Sequence, residues 1–403
     1  MWPPIAQINL LRYLVVWRVN GAFVQLPRCL PAEISRVLGT LITERLPTQQ
    51  AKPWRKMLGV WGQPAELPPA TQAGDGSAGT PGGKKPADRR KVASQPRSAA
   101  PTPGTFPPWP IESVIWTYPG KRAYGQGEPI LWELKLLGDA ADHGLFLEMI
   151  LPVMEAAATS SDERWHQPRT LWGRFDIQSI HVARGARWEP VVTDGRLDLA
   201  CRPDPAQWAE GLSFEPDAKH LYHRLTWLTP FDLPSRVSAS SPEDVAESPA
   251  AANGVTGEAA LDEAALDEAA PDDASQPAAL SETSRSALLS QSQDSLSRAP
   301  ALSDVLDALM ARTGTLVFGK WATSEQAWAQ LGAEERLSVR KDCAEGSLRR
   351  HSLEAPPREW PGRWIGTQHF AKIPHRLVPY LHLASIVHIG QHPHFGCGTF
   401  MLE

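Results

Sequence analysis

Cysteine is scarce in this chain. Four residues, Cys29, Cys201, Cys343 and Cys397, are scattered over 403 with no CxxC pair. That excludes a disulfide framework and a cysteine zinc site, and it fits a reducing cytoplasm. No apolar run approaches the roughly eighteen residues of a membrane span, and the opening Met-Trp-Pro-Pro lacks the basic start of a signal peptide. A cytoplasmic protein with no membrane partner is therefore expected. Histidine is absent before His143, although seven of the twelve lie beyond residue 350. Positive charge is also short overall, with a formal net of −5, which by itself argues weakly against a nucleic-acid binder.

The charge is unevenly placed. Twelve acidic and three basic residues fall between Arg236 and Pro300, so the −5 of the whole chain leaves +4 for the remainder. Within that tract EAALDEAALDEAAPDDA repeats every five residues, a period that matches neither helix nor strand and marks residues 234–300 as a disordered acidic insertion. Its composition fits a solubilising spacer, or a nucleic-acid mimic that shields a site in cis. Residues 64–106 are rich in Pro, Gly, Ala and Ser around Lys84, Lys85, Arg89, Arg90 and Lys91, the composition of a disordered basic linker.

Between these tracts the pattern is α+β. Leu10–Leu26 reads as a buried strand and Pro31 opens a helix with Ile34, Val37, Leu38, Leu41 and Ile42 on one face. IESVIWTY and PILWELKLL read as strands, AADHGLFLEMILPVMEAA as a helix and LWGRFDIQSIHVA as a strand. The order β-α-β-β-α-β is a ferredoxin-like unit over 1–63 and 107–185, whose sheet keeps one open face of the kind RNA-recognition domains use. A second such unit is expected over 186–233 and 301–403. It would contain a helix (Leu302–Arg312), a short strand (Thr315–Phe318), a surface helix (Ser324–Leu331), strands near Leu337–Leu353 and Trp364–Phe370, a helix (Arg376–Ile386) and a last strand.

The chain ends on HIGQHPHFGCGTFMLE, His388–Glu403. Gly390, Gly396 and Gly398 bracket His392, Pro393 and His394. Glycine lets successive N–H groups face one concavity and hold a phosphate, but the same spacing also suits a plain turn entering a strand. His388, His392, His394 and Cys397 could alternatively be arranged around zinc, although H-x3-H-x-H-x2-C fits no common structural zinc pattern. The sixteen tryptophans are unusual. Trp109, Trp116, Trp132, Trp172, Trp227, Trp321 and Trp364 fall in or beside expected strands, where they would serve as core or as platforms for unpaired bases.

Arg363–Glu403, LTWLTPFDL (Leu225–Leu233), YPGKRAYGQGEPILWELKLLG (Tyr118–Gly138) and, diffusely, Arg12–Leu46 resemble, in order, segments of the Cas-six family of CRISPR repeat endoribonucleases in the RAMP superfamily. The resemblance implies tandem ferredoxin-like domains and a nuclease of antiviral defence that processes CRISPR precursor RNA. It further implies cleavage without metal or other cofactor: the 2′-OH attacks in line and leaves a cyclic phosphate and a 5′-hydroxyl. Such chemistry needs a base, an acid and donors for the phosphoryl oxygens. CRISPR repeat RNA is the implied partner of a monomer or homodimer, with effector-complex subunits as further partners.

Family members commonly carry a histidine in or just after the first helix, where this chain offers Arg36, Glu44 and Arg45. An arginine stabilises charge but is a poor base. The candidates for catalysis are therefore His392 and His394 in the terminal loop, His143 and Arg36. Gly390, Gly396, Gly398, His388, Lys121, Arg122 and Lys320 are candidates for RNA binding. A non-catalytic RAMP subunit that holds guide RNA is the alternative reading, and a zinc-dependent hydrolase built on the terminal histidines is a third.

Overall fold

The computed structural model describes residues 7–58, 108–217, 219–233 and 299–403. The expected linker (64–106) and all but the end of the expected acidic insertion (234–300) lie outside them. The described residues form an α+β fold built on two antiparallel sheets.

The first sheet begins with β1 (Leu10–Val19), whose alternate residues Tyr13, Val15 and Trp17 are fully buried. A strand of period two with one apolar side needs helices on that side. They are α1 (Leu30–Arg45), started by Pro31, and a later helical run. After α2 (Thr48–Leu58) come β3 (Ser113–Thr117) and β5 (Pro129–Leu137), while the short β2 (Phe23–Gln25) and β4 (Ala123–Gly125) pair separately. The later run is α3 (His143–Leu145), a π turn (Phe146–Ile150) and α4 (Leu151–Ala158). Then β6 (Phe175–Arg184), β7 (Arg187–Thr193) and β8 (Arg196–Leu197) complete the sheet.

Its order is β3-β5-β1-β6-β7-β8. The first four strands follow the threading of a βαββαβ unit. The hairpin β7–β8, placed by the sequence at the head of the second unit, extends this first sheet instead. The core between sheet and helices is aromatic, with Trp17 edge-on to Trp132 and tilted against Phe175.

The second sheet has the order β10-β11-β9-β12, where β9 is Arg224–Phe231, β10 Leu348–His351, β11 Trp364–Phe370 and β12 Phe400–Leu402. It repeats the threading of the first. Its helices are α5 (Leu302–Phe318), α6 (Ser324–Ala329), α7 (Ala333–Glu345) and α8 (Val378–Val387). Two expectations fail here. Thr315–Phe318 is the last turn of α5 rather than a strand: Thr315 Oγ1 donates to Ala311 O at 2.9 Å in helical register, and the β-branched pair Thr315 and Val317 had mimicked a strand. The stretch near Leu337–Leu353 is α7 followed by β10; α7 buries only Val339 and Cys343 and shows no apolar stripe.

The two sheets share core. Ile8, Leu10, Val114 and Leu137, from the ends of β1, β3 and β5, pack with Phe231, Leu309, Val387 and Ile389 of the second sheet and its helices. Beyond α8 the chain crosses to the first sheet and returns, and that crossing is the terminal glycine-rich loop.

Candidate nucleic-acid interface

The terminal loop runs in left-handed backbone at His388, Gly390, His392, Gly396 and Gly398. Its three glycines are where the loop meets protein. A Cβ at Gly390 would lie 2.5 Å from Asp232 O, at Gly396 2.8 Å from Ile115 O, and at Gly398 1.8 Å from Ile389 O. Amides follow the same rule: Gln391 donates to Asp232 O, Gly398 to Pro230 O and Ile389 to Gly398 O. These groups fasten the loop between β9 and β3.

Two of its histidines lie inside that fastening. His388 is fully buried and accepts at Nε2 from the Lys135 ammonium at 2.9 Å, while Nδ1 faces Gly396 O and Cys397 O at 3.1 and 3.2 Å. Burial and the neighbouring Lys135 push its imidazole well down. Lys135 also donates to Ile386 O at 2.7 Å, and burial brings its ammonium down to about 7. His394 is 4% exposed. Its Nε2 accepts from Ser35 Oγ at 2.8 Å and Trp109 N at 3.4 Å, and its Nδ1 donates toward Ser113 O at 3.2 Å. That set defines a neutral Nδ1–H imidazole, and burial pulls its pKa down to about 3.

His392 is different. It is half-buried on the wall of a cleft of about 530 Å³ formed by Lys56 and Met57 of α2, the Pro108–Ser113 segment, Arg312, Lys320, and the loop from His392 to Phe395. Burial lowers its pKa and the Asp232 carboxylate opposes the shift. Arg312 comes from the buried stripe of α5. Its Nη1 pairs with Glu112 Oε1 at 2.5 Å and its Nε donates to Val387 O at 3.2 Å, whereas Nη2 is buried without a hydrogen-bond partner. Three cations, Lys56, Arg312 and Lys320, thus meet one carboxylate, Glu112, around an imidazole. A concave site with surplus positive charge and an unpaired buried guanidinium N–H suits a phosphate.

The other expected residues stand elsewhere. Arg36 is held by Glu33 at 2.7 Å and lies over the Trp165 ring at 4.5 Å. His143 meets Tyr13 Oη at 2.9 Å at the start of α3. Lys121 pairs with Glu128 at 2.5 Å, and Arg122 lines a separate recess of about 450 Å³ with Gln25, Glu33 and Trp172. Only Lys320, His392 and the wall residue His394 are brought together. Among the described residues no three His, Cys, Asp or Glu side chains are gathered to hold a metal ion, and His388 and His394 have both ring nitrogens occupied by protein. Of the tryptophans, Trp109, Trp132, Trp172 and Trp227 are core, Trp116 and Trp364 are partly buried, and Trp321 is 97% exposed.

Lys56, Glu112 and Arg312 were missed from sequence. Arg312 carried a signal: at a spacing of four, three and four it falls in line with Val305, Leu309 and Leu316, the apolar face of α5. A cation on such a face is either paired or functional. Lys56 and Glu112 gave none, since the expected linker separates them in the chain.

No protein-family model matches the chain, and no curated protein matches it. Solved structures similar to it are Cas6 proteins. A Cas6 product complex is 11% identical with a TM-score of 0.38, over 98% of this chain and 99% of that one. Thermus thermophilus Cas6 is 10% identical with a TM-score of 0.36, again over 98% and 99%. A Cas6-RT-Cas1–Cas2 complex is matched at 11% and 0.38 over 98% of this chain and 29% of the larger one. Such likeness is distant and leaves the chemistry to this chain's own residues.

Proposed function

We propose that the chain binds CRISPR repeat RNA in the cleft beneath the terminal loop and cuts it there by metal-independent transesterification. The observation that carries this reading is the cationic cleft itself: Lys56, Arg312 and Lys320 around the half-buried His392. The ordered sequence resemblance to Cas-six proteins supports the choice of RNA.

In this reading the scissile phosphate lies against Arg312 Nη2, with Lys56 and Lys320 on its oxygens. His392, kept neutral by burial, takes the proton of the upstream 2′-OH as the 2′-O–P bond forms. The P–O5′ bond breaks, and the leaving oxygen receives a proton from a lysine ammonium or from water. His394 has both nitrogens occupied and positions the loop through Ser35 and Ser113. The ring that would act as base works only when neutral, so cleavage is lost as pH falls through a pKa below the ordinary 6.5 or so and is flat above it.

The test is incubation of end-labelled repeat RNA with the protein in EDTA, beside His392→Ala and Lys56→Ala. One cut with a cyclic-phosphate end is expected, slowed roughly 100-fold or more by His392→Ala, with Lys56→Ala weakening binding. Tight binding without a cut in any variant would establish instead an RNA-holding subunit. Arg36, ion-paired with Glu33 in the helical region where family members commonly carry a histidine, favours that second reading. Absence of binding would end both.

A further inference from the structure

Trp321 is the most exposed large apolar side chain among the described residues, at 97%. An indole presents about 150–250 Å² of surface that ordinarily goes into a core or an interface. Here it is held out on a short turn with defined geometry. Helix α5 ends at Phe318, and Ala322 N donates back to Gly319 O at 2.9 Å. Thr323 O then lies so close to Gly314 that a Cβ there would be at 3.0 Å, which seats the turn on the body of α5. On the far side Thr323 N donates to Gln326 Oε1 at 2.9 Å as α6 begins. The indole is therefore exposed from an anchored backbone.

Its chain neighbour Lys320 lines the cationic cleft. Consecutive Cα atoms are about 3.8 Å apart, so a flat apolar ring starts one residue from an ammonium already placed for phosphate. A nucleotide offers that same pair of surfaces, a phosphate and a planar base. Phe318, 43% exposed on the same turn, adds a second ring. A protein partner would meet an apolar ring one residue along the chain from a cleft whose surplus charge suits an anion, a poorer match.

We infer that Trp321 is a stacking platform for an unpaired base beside the phosphate held in the cleft, so that the chain prefers RNA with a single-stranded nucleotide flanking the bound position. This rests on the RNA reading above. The ligand class is unpaired nucleotide of any base, because every base has a π face.

The test uses the full chain and fluorescein-labelled repeat hairpins, with and without a four-nucleotide unpaired flank, read by anisotropy over a salt series. For the flanked RNA Trp321→Ala is expected to weaken binding about 10-fold, within the range for base–aromatic stacking, and Trp321→Phe to keep most of it. The blunt hairpin should bind wild type and Trp321→Ala alike. An abasic flank should abolish the difference between them. The slope of log K against log salt should stay unchanged in Trp321→Ala and fall by about 1 in Lys320→Ala, because only the lysine displaces counterions. Equal binding of flanked RNA by wild type and Trp321→Ala overturns the inference alone and leaves the ring to a protein surface. Failure of wild type to bind either RNA overturns the RNA reading and this inference together.

Discussion

Arg312 occupies a core position of an otherwise apolar helix face, and burying a guanidinium is unfavourable by several kcal/mol unless its donors are met. Glu112 and Val387 O meet two of them and leave Nη2. In the proposed reading an anion meets this last donor. His394 shows the opposite case of a polar side chain fully satisfied by protein. Its folded-state pKa is about 3, against about 6.5 unfolded. Between those values the unfolded chain binds the extra proton, so stability rises with pH across that window, is lost progressively as pH falls below about 6.5, and is flat above it. At pH 5 the loss is about 2 kcal/mol for one such histidine, and His388 adds to it in the same direction. Urea denaturation at pH 7 and pH 5 is expected to show the drop, with His394→Gln less stable at pH 7 but less sensitive to pH. Equal midpoints at the two pH values in wild type would contradict a neutral buried pair.

At the scale of elements, the terminal loop is built by close backbone approach. A Cβ at Gly398 would be 1.8 Å from Ile389 O at φ +79°, so Gly398→Ala forces β12 and the loop apart. A loss of roughly 2–5 kcal/mol is expected from the left-handed backbone and the overpacking together. Gly195, in the β7–β8 turn at φ +73° with nothing within 4 Å, supplies the control: Gly195→Ala meets only the conformational term, about 1–2 kcal/mol. If the two variants denature together, the loop is not fastened as described.

The same elements show what the sequence could tell. Strand β1, helix α1 and the helix ending at Val387 were legible because each puts apolar residues on one face at its own period; the repeat of the unit was expected from the family resemblance, with which that periodicity was only consistent. Helix α7 was not, because Leu337, its largest apolar residue, is 69% exposed and only Val339 and Cys343 mark the buried side. The glycine loop was recognisable as a loop. Whether its concave side faced protein or solvent depended on Asp232, Ile115 and Pro230, which pack on it from distant parts of the chain.

At the scale of the whole molecule, the proposed RNA binding would also depend on charge that the cleft does not carry. Residues 236–300 hold twelve acidic and three basic groups, leaving +4 on the rest of a −5 chain. The net negative charge of that tract disfavours binding of a polyanion, an effect screened over about one Debye length, roughly 30 Å at 0.01 M salt and 8 Å at 0.15 M. Replacing residues 235–299 by a short Gly-Ser linker should therefore tighten RNA binding at low salt, with a difference that shrinks toward physiological ionic strength. Both cores described above are formed by residues outside the replaced segment, so the variant is expected to melt within a few degrees of the parent. Anisotropy titrations at the two salt concentrations, alongside thermal melts, separate the outcomes. Tighter binding at low salt alone supports long-range repulsion by the tract. An equal gain at both salts points to direct occupation of the cleft by the tract, the shielding that its composition allows. A variant that binds RNA less well while melting normally would show that the tract itself contributes to the RNA site.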